Sequence, residues 1–317
     1  MQSGAGRESS DQRPLLLFLC HPLTGHLTPT LRVAAALHAR GWPVSFLGPT
    51  AHRDRILASG AAFFPLLASA DIDDLAYYAA STREYRSLSW SERALVDVER
   101  QWYAPIPDQW SSLRAALSRL HRDDPARDVI VVCEAIFHGI LPLFFGADLA
   151  QSPSGPDEAA VPSPLAVPRI LGTLCLSVTV PLIRSADLPP FGFALPYDAS
   201  PEGRARNAAC WAAWAAHTTR LQGLLDEALR KAGATKPFDG VVLSGENYLA
   251  HARILQLGVP GFFYPRTDWP DKLQIVGLSP PPPTTSASLP SWAPSKPIRA
   301  TSSSRRCGVS PAAPTSS

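Results

Sequence analysis

The sequence predicts an α/β fold: a Rossmann-like parallel sheet flanked by helices. Three features carry the prediction. Residues 15–20, Leu-Leu-Leu-Phe-Leu-Cys, are apolar without alternation, as in a strand covered on both faces. Residues 129–133, Val-Ile-Val-Val-Cys, form the clearest β-branched run. Between them, short apolar runs alternate with helix-forming segments at the spacing of right-handed parallel crossovers.

The first run follows Pro14 and is too short for a buried helix, so it reads as a strand. A loop, His21-Pro22-Leu23-Thr24-Gly25-His26, comes next. Thr28 is placed to cap a helix and Pro29 to occupy its first position. The Ala- and Leu-rich stretch to Arg40 sustains that helix for about 12 residues, and Gly41 can close it in the left-handed C′ conformation. His26 therefore falls at the carboxyl end of the first strand, just before a helix N-terminus. In open α/β sheets the ligand crevice lies outside those strand ends. A positive helix end lowers a histidine pKa, and a histidine neutral near pH 7 can accept a proton. A surface histidine with no role fits the same position, and position alone does not separate the two.

Residues 44–47 give the second strand, 52–59 a short helix and 60–66 the third strand. Residues 70–90 have no clean period and read as a long loop with helical pieces. Residues 91–120 are more helical, with Pro105 and Pro107 as interruptions. Trp102, Tyr103 and Trp110 lie there. Core packing is the preferred reading for them, and Gly25, Trp102 and Trp110 are the candidates for contact with a bound acceptor. After the run at 129–133 comes Glu134, and 135–149 continue as an apolar helix. Residues 169–180 give a fifth strand, 200–233 one long helix capped by Ser200 and ended by Gly233, and 241–244 a sixth strand. A helix over 246–257 and short strands at 261–264 and 273–277 follow. Trp211, Trp214, Leu221, Leu224 and Leu225 mark an apolar stripe on the long helix and read as core.

At 317 residues the chain has room for two domains or one large one, and 45% hydrophobic residues suffice for a sizeable core. A net charge of +2 suggests neither a nucleic-acid nor a membrane-surface partner. The five cysteines show no metal-ligand spacing and read as thiols of a reducing, cytoplasmic setting. No stretch approaches the roughly 18–20 apolar residues of a membrane span, and the first residues do not resemble a signal peptide. No Gly-x-Gly-x-x-Gly, P-loop or Gly-x-Ser-x-Gly motif is present, which argues against dinucleotide binding and α/β-hydrolase chemistry. The 33 prolines cluster near 152–168, 187–201 and beyond 277. The expected organisation is a disordered 1–13, one domain over 14–278 with a flexible insertion at 151–168, and a Pro/Ser-rich linker and disordered tail over 279–317.

One block of the sequence resembles the amino-terminal domain of UDP-dependent glycosyltransferases. It runs from Cys20 to Pro29 (Gly-His-x-x-Pro within it), through Arg40-Gly41 and Val44-Ser45-Phe46, to Gly60-Ala61 and Phe64-Pro65-Leu66. Fungal members are similar also in Ser-Pro-Glu-Gly-Arg-Ala-Arg-Asn, here at 200–207, and in a late Val-Gly-x-x-Pro-Pro, here at 276–281. The resemblance spans residues 15 to about 292 and implies the acceptor-binding half of a GT-B fold. It implies that His26 deprotonates the acceptor hydroxyl for inverting hexosyl transfer from a UDP-sugar to a small lipophilic acceptor. An aspartate ends the fourth strand in that family; here the position holds Glu134, which is implied to orient His26 and stabilise its protonated form. No cofactor and no metal are implied. The family's donor-binding motifs are not found after Trp292, so the chain is expected to be truncated and inactive alone. The alternative is a non-catalytic acceptor half that pairs with a separate donor-binding chain.

Overall fold

Seven strands build one sheet in the computed structural model, which describes residues 13–150 and 165–277. In chain order they are β1 (Leu15–Leu19), β2 (Val44–Gly48), β3 (Ala62–Pro65), β4 (Val129–Glu134), β5 (Ile170–Ser177), β6 (Arg253–Leu257) and β7 (Leu273–Val276). Their order across the sheet is β3-β2-β1-β4-β5-β6-β7, and every neighbouring pair is parallel. This is the doubly wound arrangement expected from the sequence. Alternate residues of β1 show why its run lacks polar positions. Leu17 and Leu19 pack on one face with Val131 and Cys133, while Leu16 and Phe18 pack on the other with Phe46 and Val132. Both faces are covered, so alternation has nothing to select.

The helices are α1 (Thr24–His38), α2 (Arg53–Ala58), α3 (Asp74–Ala79), α4 (Arg83–Ser87), α5 (Trp90–Asp97), α6 (Ile106–Asp123), α7 (Leu141–Phe144), α8 (Pro201–His217), α9 (Thr219–Lys231) and α10 (Glu246–Ala250). A π-helical turn, Val98–Tyr103, joins α5 to α6. Residues 1–12, 151–164 and 278–317 lie outside the described residues, and with them nearly all of the expected disordered start, flexible insertion and tail. The Leu165 N–H donates to the Ala150 carbonyl at 2.8 Å, so the chain leaves and re-enters the domain at one point around the insertion.

Several local expectations give way to tertiary contacts. α1 starts at Thr24, ahead of the expected cap Thr28. The carboxylate of Asp74, 50 residues away, accepts the Thr24 N–H at 2.7 Å and its hydroxyl at 3.0 Å, which caps the helix from outside. Thr28 instead donates to the Thr24 carbonyl at 2.8 Å, and Pro29 lies inside the helix, where it offers no N–H. Asp74→Ala is expected to cost about 1 kcal/mol, read as a lower urea midpoint at unchanged slope; an unshifted midpoint would show that the cap contributes nothing.

Residues 135–149 form a 3₁₀ turn and the four-residue α7, where a full helix is expected. The Asn247 amide donates to the carbonyls of Ala135 at 2.8 Å and Phe137 at 3.1 Å, which removes both from any helical ladder. The expected helix at 200–233 divides into α8 and α9 at Thr218, whose hydroxyl donates back to the Trp214 carbonyl at 2.8 Å. Residues 241–244 make a turn, not a strand, because the N–H groups of Leu243 and Ser244 donate to the Glu246 carboxylate and Leu243 takes φ +58°. The helix expected over 246–257 stops after Ala250 and becomes β6, which is held between β5 and β7. Residues 260–262 are a 3₁₀ turn begun by Pro260, so the short strand expected at 261–264 is absent.

Candidate active site

β1 and β4 lie side by side where the strand order reverses, with Leu19 in register with Cys133. A crevice opens outside their carboxyl ends at such a switch point. Glu134 is the last residue of β4, and His26 lies in the first turn of α1. The structure joins them: His26 Nδ1 is 2.8 Å from Glu134 Oε1. Glu134 is fully buried and His26 is 18% exposed. The second carboxylate oxygen accepts the Ile136 N–H at 3.3 Å, which fixes the plane of the group. With Nδ1–H donating to Glu134, Nε2 is the nitrogen left to accept a proton.

The electrostatics reverse one expectation. A helix N-terminus alone lowers a histidine pKa, and burial pushes His26 the same way, but the charge and hydrogen bond of Glu134 outweigh this and leave it above 6.5. The stabilisation from this pair is therefore fully present below pH 6.5 and is lost as pH rises through the elevated value.

The neighbouring His21 behaves oppositely. Its Nε2–H donates to the Gln101 carbonyl at 2.9 Å and its Nδ1 accepts the Leu23 N–H at 3.3 Å. Full burial pushes its pKa down to about 3, so it stays neutral and ties the loop before α1 to the π-helical turn.

A cavity of about 660 Å³ opens beside His26. Its wall is mostly apolar and aromatic, with Trp90, Trp102, Phe191, Phe193 and Trp214 among the lining residues. Trp102, a candidate from the sequence, lines it and stacks on His138 with ring centroids 5.7 Å apart. Trp110 does not line it; it is 3% exposed in the core with Leu113 and Leu117, on the apolar face that α6 turns to the sheet. Gly25 does not line it either. It is exposed on the outer side of α1, and a Cβ there would meet nothing within 4 Å. Trp214, read as core from its helical stripe, reaches the cavity while its indole N–H donates to the Val242 carbonyl at 3.0 Å.

The sequence reading missed a second buried group. Glu246 accepts from the Tyr103 hydroxyl at 2.9 Å and from the backbone N–H of Leu243 at 3.0 Å and of Ser244 at 3.1 Å, with His138 Nε2 3.8 Å away. His138 Nδ1 contacts the Ile136 carbonyl at 2.8 Å. This network fixes the 134–138 turn that carries Glu134, and it also backs Trp102. Only a glutamate in an apolar run hinted at it. Its partners come from segments 143 and 108 residues apart, which no local pattern connects.

Cys20, Cys133 and Cys175 are buried free thiols whose pKa values burial pushes well up, and Cys307 lies outside the described residues. No helix is long and apolar enough to cross a membrane among the described residues.

No family model matches the chain. Curated relatives do. The chain is 28% identical over 281 residues to UDP-glycosyltransferase 2 of Phaeomoniella chlamydospora, covering 86% of this chain and 55% of that protein. It is 28% identical over 284 residues to UDP-glucosyltransferase A1 of Starmerella bombicola, covering 89% and 56%, and similarly to UDP-glucosyltransferase 1 of Beauveria bassiana. These similarities support a UDP-glycosyltransferase family for the chain. It spans about half the length of the relatives it matches. Among solved structures, the glycotransferase of kitacinnamycin aligns with a TM-score of 0.49 at 16% identity, over 88% of this chain and 55% of that one. A calicheamicin glycosyltransferase aligns with a TM-score of 0.45 at 13% identity, over 86% and 56%.

Proposed function

We propose that this domain is the acceptor-binding, amino-terminal half of a GT-B glycosyltransferase that transfers a hexose from a UDP-sugar to a hydroxyl of a small lipophilic acceptor. One observation carries the reading: the His26–Glu134 pair, 2.8 Å apart, borders a cavity with an apolar and aromatic wall. In the reaction, His26 Nε2 takes the acceptor O–H proton as the oxygen attacks the anomeric carbon. The carbon–phosphate-oxygen bond breaks, UDP leaves with the electron pair, and the anomeric configuration inverts. The proton stays on His26, where Glu134 stabilises the imidazolium. Acceptor activation by this pair needs no metal. The donor-binding side, on the same polypeptide or on a partner chain, belongs to the proposal. So does glucose as the sugar, which the names of two of the relatives support. The three buried free thiols support a reducing, cytoplasmic setting.

The test needs no donor. In an NMR titration of the 317-residue chain, His26 should titrate above 6.5, and Glu134→Gln should lower that value. 2-Naphthol, a fluorescent compact alcohol, should bind the chain, and Ala213→Trp, which fills the cavity, should weaken it about tenfold, roughly 1.4 kcal/mol. A His26 titration that Glu134→Gln leaves in place removes the carboxylate from the pair; naphthol binding indifferent to Ala213→Trp removes the acceptor site.

A further inference from the structure

The cavity beside His26 has a neighbour. A second cavity, of about 520 Å³, shares Val180, Leu182, Phe191, Gly192 and Leu243 with it. The remaining wall comes from the Pro-rich segment through Leu195 and from aromatic residues after β6, including Phe262, Tyr264 and Trp269. The shared side chains are therefore a partition between two chambers. Phe191 and Gly192 form its rim. Phe191 is 44% exposed and meets Trp90 edge-on at 5.3 Å. Gly192 takes φ +91°, and a Cβ there would stand 3.3 Å from the Trp90 ring, so glycine lets the segment pass close to it.

The second chamber has a definite chemistry. Arg266 is the sole charged residue lining it, and its guanidinium is already committed: it donates to Asp268 at 2.9 Å and to the carbonyls of Ile183 at 3.1 Å and Arg184 at 2.9 Å. No unpaired charge is left on this wall for a carboxylate or a phosphate. What the chamber can take is uncharged and apolar. Each chamber alone has the volume of a small-molecule site, roughly 300–1,000 Å³. A compact acceptor would fill the first and leave the apolar wall of the second in water.

We propose that the two chambers form one bipartite acceptor site, and that the acceptor class is an elongated amphiphile. Its hydroxyl-bearing head lies beside His26, and an uncharged hydrocarbon chain passes Phe191 into the second chamber. This rests on the acceptor-site reading above and narrows it. The test compares 2-naphthol with 6-octyl-2-naphthol on the 317-residue chain by fluorescence titration. Burying a methylene strengthens binding roughly fourfold, so the octyl compound should bind at least about a hundredfold more tightly. Leu195→Trp, on the exposed wall of the second chamber alone, should remove most of that gain and leave 2-naphthol unchanged. Ala213→Trp, in the first chamber alone, should weaken both. Unchanged 2-naphthol affinity shows that Leu195→Trp is folded, and a parental urea midpoint shows the same for Ala213→Trp. An octyl gain that survives Leu195→Trp, or no octyl gain at all, overturns the bipartite site while the acceptor site stands. If Ala213→Trp changes neither ligand, the acceptor site itself falls.

Discussion

Replacing His26 with alanine is expected to lower kcat/KM for glucosyl transfer by roughly 10²–10⁴, the usual worth of a positioned general base. The assay uses UDP-glucose and 2-naphthol on the chain extended with the carboxyl-terminal half of the Phaeomoniella relative, because the 317-residue chain is expected to be inactive alone. The pH profile separates a base from a merely structural histidine. In the proposed reaction the active form is neutral imidazole, and Glu134 raises the pKa above 6.5. Log kcat/KM should therefore climb with pH through that raised value and then level off. Glu134→Gln removes the carboxylate charge, so the inflection should move to lower pH while the plateau falls. A His26→Ala enzyme within threefold of the parent would end the assignment, and an inflection that Glu134→Gln leaves in place would detach the carboxylate from it.

Glu246→Ala should have the largest effect on stability, about 3 kcal/mol in urea unfolding. Buried N–H and O–H groups left without an acceptor cost about 1–3 kcal/mol each before the site relaxes. The substitution strands the Tyr103 hydroxyl and the Leu243 and Ser244 N–H groups. Glu246→Gln keeps one carbonyl oxygen as an acceptor and should lose clearly less. Burial alone would push the Glu246 carboxyl up, yet His138 and the backbone donors outweigh it and leave the pKa below 4.5. Its contribution is thus complete above pH 4.5 and is lost as pH falls through the depressed value. Glu246→Ala should flatten this part of the acid-stability curve. If Ala and Gln cost the same small amount, the network does not hold the 134–138 turn.

The strands came through best from pattern alone. Residues 15–20 and 129–133 are apolar on both faces because the sheet is covered on both faces, and that requirement is written into consecutive residues. The late region was misread for the converse reason. Residues 251–257 carry apolar positions that suit a helix or a strand equally, and β6 is selected by open edges on β5 and β7. Likewise 241–244 looked β-branched enough for a strand, but the Glu246 carboxylate took the N–H groups a ladder would need.

The two site residues divide along the same line. The positions of His26 after the first strand and Glu134 at the end of the fourth were legible from local signals and from the family resemblance. Their contact, and the stabilised imidazolium it produces, were implied by the resemblance alone and by no local signal. Local sequence shows a histidine near a helix N-terminus, which predicts a lowered value. The strand register that sets β4 beside β1 brings a buried carboxylate to 2.8 Å and raises it. The aromatics follow suit, since Trp102 and Trp110 lie on adjoining turns of chain and only the packing sends one to the cavity and the other to the core. Backbone conformation and burial pattern depend on neighbours a few residues away. Charge stabilisation and cavity walls depend on groups about a hundred residues apart, and folding alone brings those within reach.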